Sequence, residues 1–249
     1  MKRLSGYLKI IVALTLLSNS GLLVQAQFIQ TTLLGGDPAD GITLNPSLAL
    51  GAVYADNSST GLAYSLQGVT FNPYNTPGST VSGINLSLAS TLPINIAATA
   101  ANQSFTAPGN SADDKALLNI VNGGLMYDGV ITGFTATFSG LTAGQSYKLN
   151  FISSLTQYPG RDGTLSINGS APQTFTYEDS PIYLFSGTAI AQPDGTITAF
   201  FGEAGNSAPF TNALEIESTV AVPEPSSYVL IILGGVMTLV LQWRHSKMA

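Results

Sequence analysis

Apolar and polar residues alternate with a period of two between residues 28 and 217, and this pattern restricts the fold more than any other feature of the chain. In the stretch 134–139, for example, Phe134, Ala136 and Phe138 are apolar, while the residues between them are threonines. Such alternation buries one face of a strand and leaves the other toward solvent. Turn-forming Gly, Pro and Asn residues separate stretches of this kind about every ten residues. The pattern predicts an all-β protein, an antiparallel β-sandwich of the jelly-roll kind.

One segment favours a short helix. Ser111 can cap its first turn, Asp113 and Asp114 suit the positive end of a helix dipole, and Gly123 can end it. No charged or low-complexity linker divides the body, so residues 27–221 are predicted to form one domain. The strand at 28–34 is expected to lie in the same domain as the strand at 212–217.

The charge of the body is strongly acidic. Of the 14 acidic residues, only Glu224 lies in the C-terminal tail, while only three of the 8 basic residues, Lys115, Lys148 and Arg161, lie in the body. Three bases against thirteen acids leave a net charge near −10, which argues against nucleic acid as a partner.

Missing residue types exclude several kinds of enzyme. The chain has no cysteine, and its single histidine and single tryptophan, His245 and Trp243, lie in the tail. The body therefore lacks the side chains for a Ser-His-Asp triad, a Cys-His dyad or a zinc site with His or Cys ligands. We expect no catalytic residues; a glycoside hydrolase, which needs only two carboxylates, is the weakest alternative. Neighbouring acids have structural explanations: Asp113–Asp114 at the helix start, Glu178–Asp179 in a loop, and Glu215 with Glu217 on an outward strand face.

The N-terminal segment 1–26 has the features of a secretory signal peptide. Lys2 and Arg3 precede an apolar run over residues 10–17, and small residues at Val24 and Ala26 suit a cleavage site. We expect a signal helix that signal peptidase removes after Ala26.

The C-terminal segment 222–249 combines a proline motif, an apolar run and a basic end. Residues 228–243 carry no charge and are just long enough for a short transmembrane helix. The basic residues Arg244 and Lys247 follow it, which places the body outside and the end of the chain inside. Two prolines flank Glu224 and favour an extended, exposed backbone before the helix.

This order of parts resembles the PEP-CTERM sorting signal of exported bacterial proteins. The resemblance places the sorting motif on Val222, Pro223, Glu224 and Pro225, and the basic stop on Arg244 and Lys247. It implies that an exosortase, a membrane enzyme, recognises the motif and removes the tail, which until then anchors the protein in the inner membrane. A permanent C-terminal membrane anchor is the alternative.

The second half of the body resembles the galactose-binding-like jelly-roll domains found before such tails. The stretches FSGLTAGQSYKLNFISS, RDGTLSING, QTFTY, GTITAFF and NALEIES follow one another in that order within residues 131–218. Some members of that superfamily bind sugars and others have only a packing role, so the resemblance implies a fold and no ligand.

Two further features suggest binding sites. The loop Gly35–Gly41 carries Asp37 and Asp40, whose oxygens could hold calcium; the alternative is that Asp and Gly only form a turn here. Apart from calcium, no cofactor is predicted. Tyr158, with Tyr74 as a possible neighbour, is expected in a loop where its aromatic ring can stack on a sugar, and Arg161 and Asp162 beside it can hydrogen-bond sugar hydroxyls.

The sequence therefore predicts an exported protein of the cell envelope or extracellular matrix with a non-catalytic structural role. A weak carbohydrate-binding module for exopolysaccharide is the first alternative.

Overall fold

The computed structural model describes residues 27–57, 61–74, 85–90, 94–97, 109–128, 133–154, 161–177, 182–204 and 210–219. The predicted signal helix, the predicted transmembrane helix and the sorting motif lie outside these residues. Within the described part of the chain, no helix has the length and apolar character needed to cross a membrane.

Seven strands form the largest sheet. Across the sheet they lie in the order β1 (Phe28–Leu33), β12 (Ile182–Ile190), β9 (Ser146–Ser154), β15 (Ala213–Ser218), β2 (Ala49–Ala55), β4 (Val69–Tyr74) and β3 (Tyr64–Leu66). The first and last described strands thus belong to the same sheet.

Two smaller sheets complete the strand set. The five-stranded sheet has the order β11 (Gln173–Tyr177), β10 (Arg161–Ile167), β13 (Ile197–Ala204), β8 (Phe134–Ser139) and β5 (Asn85–Ser90). The three-stranded sheet has the order β14 (Phe210–Thr211), β7 (Leu125–Asp128) and β6 (Ile94–Ala97).

The main core lies between the seven-stranded and five-stranded sheets. Alternate residues of both sheets point into it, and aromatic rings fill its centre. Phe151 of the larger sheet stacks on Phe28 with 5.5 Å between ring centroids and meets the edge of Phe201, from the smaller sheet, at 5.1 Å. Phe201 in turn stacks on Phe134 at 4.8 Å. These contacts join the two layers of the sandwich.

A second core covers the outer face of the seven-stranded sheet. Helix α1 (Ala112–Gly123) packs there through Leu117, Ile120 and Val121, and the segment after β1 adds Ile42 and Leu44. The larger sheet is therefore apolar on both faces along several strands. Successive residues of these strands still point to opposite faces, but the residues on both faces are buried.

Helix α1 is fixed at both ends by polar side chains. Ser111 and Asp114 form a capping box, in which the Asp114 backbone N–H donates to Ser111 Oγ and the Ser111 backbone N–H donates to Asp114. At the other end, the buried Asn212 amide donates to the carbonyls of Val121 and Gly124 and accepts the Ser154 N–H. Asn212 therefore connects the helix end to the sheet.

The structure confirms the predicted all-β sandwich with one short helix. At residues 62–71 the sequence pattern alone predicts one strand, but the structure has two. Gln67 and Gly68 both have positive φ, 50° and 79°, so the chain turns tightly between β3 and β4. After this hairpin, β4 runs parallel to β2, whereas the other paired strands described are antiparallel.

Candidate carboxylate site

A tight loop after β1 brings Asp37 and Asp40 to the start of helix α1. Pro38–Asp40 forms one turn of 3-10 helix, and Gly41 follows in the left-handed conformation at φ 103°. The backbone N–H of Leu34 donates to the Asp40 carbonyl (2.9 Å), which closes the loop. The capping box presents Asp114 to this loop from the first turn of the helix.

Three carboxylates meet where the loop and the helix touch. Each of Asp37, Asp40 and Asp114 contributes one carboxylate oxygen to a group of three that lie within 4.8 Å of one another. Asp114 is buried, while Asp37 and Asp40 are half-buried. The sequence predicts the first two as a pair; the third comes from more than 70 residues further along the chain, and the prediction gives it only a role in starting the helix.

Backbone N–H groups hold the Asp114 carboxylate in its charged form. Gly36 N–H donates to Oδ1 (2.9 Å) and Ser111 N–H donates to Oδ2 (3.1 Å). The Gly36 bond is the main cause that lowers the pKa of Asp114, against the opposing effect of burial, and the Ser111 bonds add to it. The carboxyl therefore stays ionised and available as an oxygen ligand at neutral pH.

Glycine leaves the room that these carboxylates occupy. A Cβ atom at Gly35 would lie 2.5 Å from Asp114 Oδ1 and 2.5 Å from Asp40 Oδ2, and one at Gly109 would lie 2.2 Å from Asp114 Oδ2. Real Cβ atoms do not approach so closely, so any larger residue would displace the carboxylates. The donor set consists of oxygens alone, which is the chemistry that calcium prefers and zinc does not.

A second carboxylate cluster lies on the outer face of the seven-stranded sheet. Glu217 accepts the Asn45 N–H through Oε1 (2.8 Å) and pairs with Lys148 through Oε2 (3.3 Å). Lys148 also donates to the carbonyl of Thr43 (2.9 Å). These bonds hold the segment 42–48 over β9 and β15.

The same covering segment corrects a prediction about Glu215 and Glu217. Alternation places both on an outward strand face, as expected, but both are buried there, with Glu215 only 1% exposed. They are buried because the outward face of this sheet carries a second core instead of solvent.

Glu215 is incompletely paired in this position. Its Oε2 accepts from Asn150 Nδ2 (2.6 Å), and Ser186 Oγ donates to Asn150 Oδ1 (2.7 Å), so a polar row crosses three strands. Its Oε1 is buried without a hydrogen-bond partner. Burial, and then the charge of Glu217, raise the pKa of Glu215 to about 8, against the opposing effects of Asn150 and Lys148. Glu215 is therefore mostly protonated at neutral pH.

The predicted glycan-binding residues are not brought together as a described site. The prediction that Tyr74 is an exposed aromatic residue in a loop is wrong. Tyr74 ends β4, is 0% exposed and belongs to the main core, so its ring cannot stack on a ligand. Asp162 is half-buried near the start of β10 and accepts from the Thr176 hydroxyl (2.7 Å). Arg161 begins β10, and Tyr158 lies outside the described residues.

Comparisons with known proteins give structural similarity alone. No protein-family model and no curated protein matches the chain. Among solved structures, a calcium-binding mutant of Bacteroides uniformis beta-glucuronidase 2 is 11% identical with a TM-score of 0.43, over 77% of this chain and 18% of the enzyme. A family 35 carbohydrate-binding module from Clostridium thermocellum is 11% identical with a TM-score of 0.35, over 64% of this chain and 98% of the module.

A third solved structure is similar over about half of the chain. The family 35 carbohydrate-binding module of Cellvibrio japonicus Abf62 is 12% identical with a TM-score of 0.33, over 54% of this chain and 94% of the module. This chain spans less than a fifth of the length of the glucuronidase, at 18%. At these identities and TM-scores the likeness assigns no ligand or activity to this chain.

The buried Glu215 predicts a pH dependence of stability. Because its pKa is raised from 4.5 to about 8, the folded state binds a proton that the unfolded state releases, so this residue makes stability fall as pH rises from about 4.5 to about 8. Glu215→Gln, which mimics the protonated group, should flatten this fall. At pH 9 the wild-type carboxylate is charged, buried and unpaired at one oxygen, so we expect the variant to be more stable by at least about 1–3 kcal/mol, the cost of a neutral unpaired group.

Urea unfolding midpoints measured from pH 5 to pH 9 test this prediction. Asp194→Asn, in an exposed turn, is the control and should keep the wild-type pH profile. A Glu215→Gln profile as steep as that of the wild type would show that Glu215 is already ionised at neutral pH in the folded protein.

Proposed function

We propose that the chain is an exported, non-catalytic protein of the cell envelope or extracellular matrix, made of a signal peptide, a β-sandwich body and a PEP-CTERM tail. The sequence of the two ends supports export by signal peptidase and sorting by an exosortase. The observation that carries the non-catalytic role is the use of carboxylates in the described body. Asp113, Asp114 and Glu217 each accept a backbone N–H from a distant segment, so they hold the fold together.

The sorting part of this proposal predicts two cleavages. The intact mass of the exported protein should correspond to a chain that begins near Gln27 and ends close to Pro225. A double variant, Pro223→Ala with Pro225→Ala, should keep the tail and accumulate in the membrane fraction, because its backbone is no longer held extended for the processing enzyme.

Pro193→Ala, in an exposed turn of the body, is the matched control and should be processed like the wild type. An exported wild-type species that retains Trp243 and Arg244 would contradict tail removal and favour the permanent anchor.

We further propose that the carboxylates of Asp37, Asp40 and Asp114 hold a calcium ion that stabilises the fold. Three negative charges this close together repel one another, and a divalent cation would turn that repulsion into attraction. Calcium accepts six to eight oxygen ligands in flexible geometry, so backbone carbonyls and water can complete the set. Such an ion would tie the loop after β1 to the first turn of helix α1.

Thermal unfolding of the full chain with calcium or with a chelator tests this site. Calcium at about 100 times its dissociation constant should raise the midpoint by roughly 5–10 °C. Asp40→Asn should abolish the rise, whereas Asp194→Asn should keep it. Asp40 is the better variant because replacing Asp114 would also remove the capping box. Equal midpoints in calcium and chelator would overturn the proposal.

Carbohydrate binding by the body is the second candidate function, with exopolysaccharide as the partner. It is favoured by the outer face of the five-stranded sheet, where threonine hydroxyls surround an exposed aromatic ring. Hydroxyl groups can donate and accept hydrogen bonds with sugar hydroxyls, and an aromatic ring can stack on the apolar side of a sugar ring.

A further inference from the structure

The outward side chains of the five-stranded sheet form a surface that we call the hydroxyl face. On β8, β10, β11 and β13 the residues that alternate with the core point outward, and six of them are threonines that are exposed or half-buried: Thr135, Thr137, Thr164, Thr174, Thr176 and Thr198. The strand registers place them in rows, since Thr137 pairs with Thr198 and Thr164 pairs with Thr174.

Phe200 lies in the middle of the hydroxyl face. It pairs with Ser166 on one side and with Thr135 on the other, and it is 38% exposed. Among the aromatic residues whose side chains the structure describes, only Phe200 is exposed, and the others are buried or half-buried. It therefore meets the requirement for stacking that the buried Tyr74 fails.

Two glycines allow the Phe200 ring to lie down on the sheet. A Cβ atom at Gly202 would meet ring carbon Cε1 at 2.8 Å, and one at Gly133 would meet Cζ at 2.6 Å. The ring thus covers the bare backbone of both glycines and leaves its other side toward solvent. The same Cβ atom at Gly202 would meet the Thr164 hydroxyl at 2.5 Å, so a hydroxyl group borders the flat ring.

The charge of the hydroxyl face indicates what can bind there. Among its described side chains there is one acid, Asp162, and no base. An anionic polymer would find no positive partner among these described side chains, and the net negative body would repel it. A neutral, polyhydroxylated chain instead matches the hydroxyl groups by hydrogen bonding and the ring by stacking.

We propose that the hydroxyl face binds a neutral polysaccharide, with a sugar ring stacked on Phe200 and the chain extending toward Asp162 and Thr176. This inference rests on the second candidate function and names its site. It moves the site from the loop of Tyr158 and Tyr74 to the open face of the sheet.

Affinity gel electrophoresis of the full chain tests the proposal with neutral dextran, mannan and galactan and with the anionic polymer alginate. The wild type should be retarded by at least one neutral polymer and not by alginate. Phe200→Ala should weaken that retardation by about fivefold or more, through loss of the stacking surface. Phe200→Trp, which keeps an aromatic ring at this position, should keep the retardation. This comparison separates loss of the stacking surface from loss of folding.

Ile190→Ala is the matched control, because Ile190 is an exposed apolar residue of the other sheet. It should leave the retardation unchanged. Undiminished retardation of Phe200→Ala would overturn the proposal, as would stronger retardation by alginate than by the neutral polymers.

The outcomes also separate this inference from the candidate function on which it rests. If Tyr158→Ala abolishes retardation while Phe200→Ala does not, the body binds carbohydrate through the loop and the hydroxyl face is wrong. If none of the neutral polymers retards the wild type, both carbohydrate binding and this site are wrong, and the structural role remains.

Discussion

The seven-stranded sheet has apolar residues on both faces, and the rest of the structure is arranged to cover them. The five-stranded sheet covers one face, and helix α1 with the segment after β1 covers the other. Leaving either apolar face in water would cost more free energy than the net stability of a typical domain, so the sheet needs both covers. A chain with no cysteine must achieve this without disulfides.

Carboxylates attach the outer cover to the sheet, and this explains their unusual environments. The covering segment extends back along the chain to residue 36: Asp114 holds Gly36 at one end, and Glu217 with Lys148 holds Asn45 and Thr43 at the other. Between them, Gln67 accepts the Leu44 N–H and donates to the carbonyls of Gly36 and Ile42. An acidic body is thus compatible with a stable sandwich because several acids accept backbone N–H groups of distant segments, among them the buried N–H of Gly36, which would otherwise lack a partner.

The sequence predicts the elements that depend on local pattern and misses those that depend on distant contacts. Alternation correctly indicates the strand from Phe134 with Ala136 and Phe138 on its buried face, and Ser111 correctly marks the helix start. Local pattern places Glu215 on an outward strand face, but it cannot show that a face pointing away from the main core is covered. Nor can spacing join Asp114 to Asp37 and Asp40, because their contact depends on how the helix docks. In the sequence, Phe200 resembles the other apolar residues of its strand. The structure distinguishes it, because its ring is exposed and lies over two glycines.

Hydrogen exchange of the covering segment tests this account most directly. If buried carboxylates hold the segment against the sheet, the amides of Gly36 and Asn45 should exchange slowly, at rates close to those of core strand amides such as that of Phe151, although both lie outside regular secondary structure. The amide of Gly169, in an exposed turn, provides the fast reference. Exchange of Gly36 and Asn45 as fast as that of Gly169 would contradict the account, because the outer core would then be open most of the time.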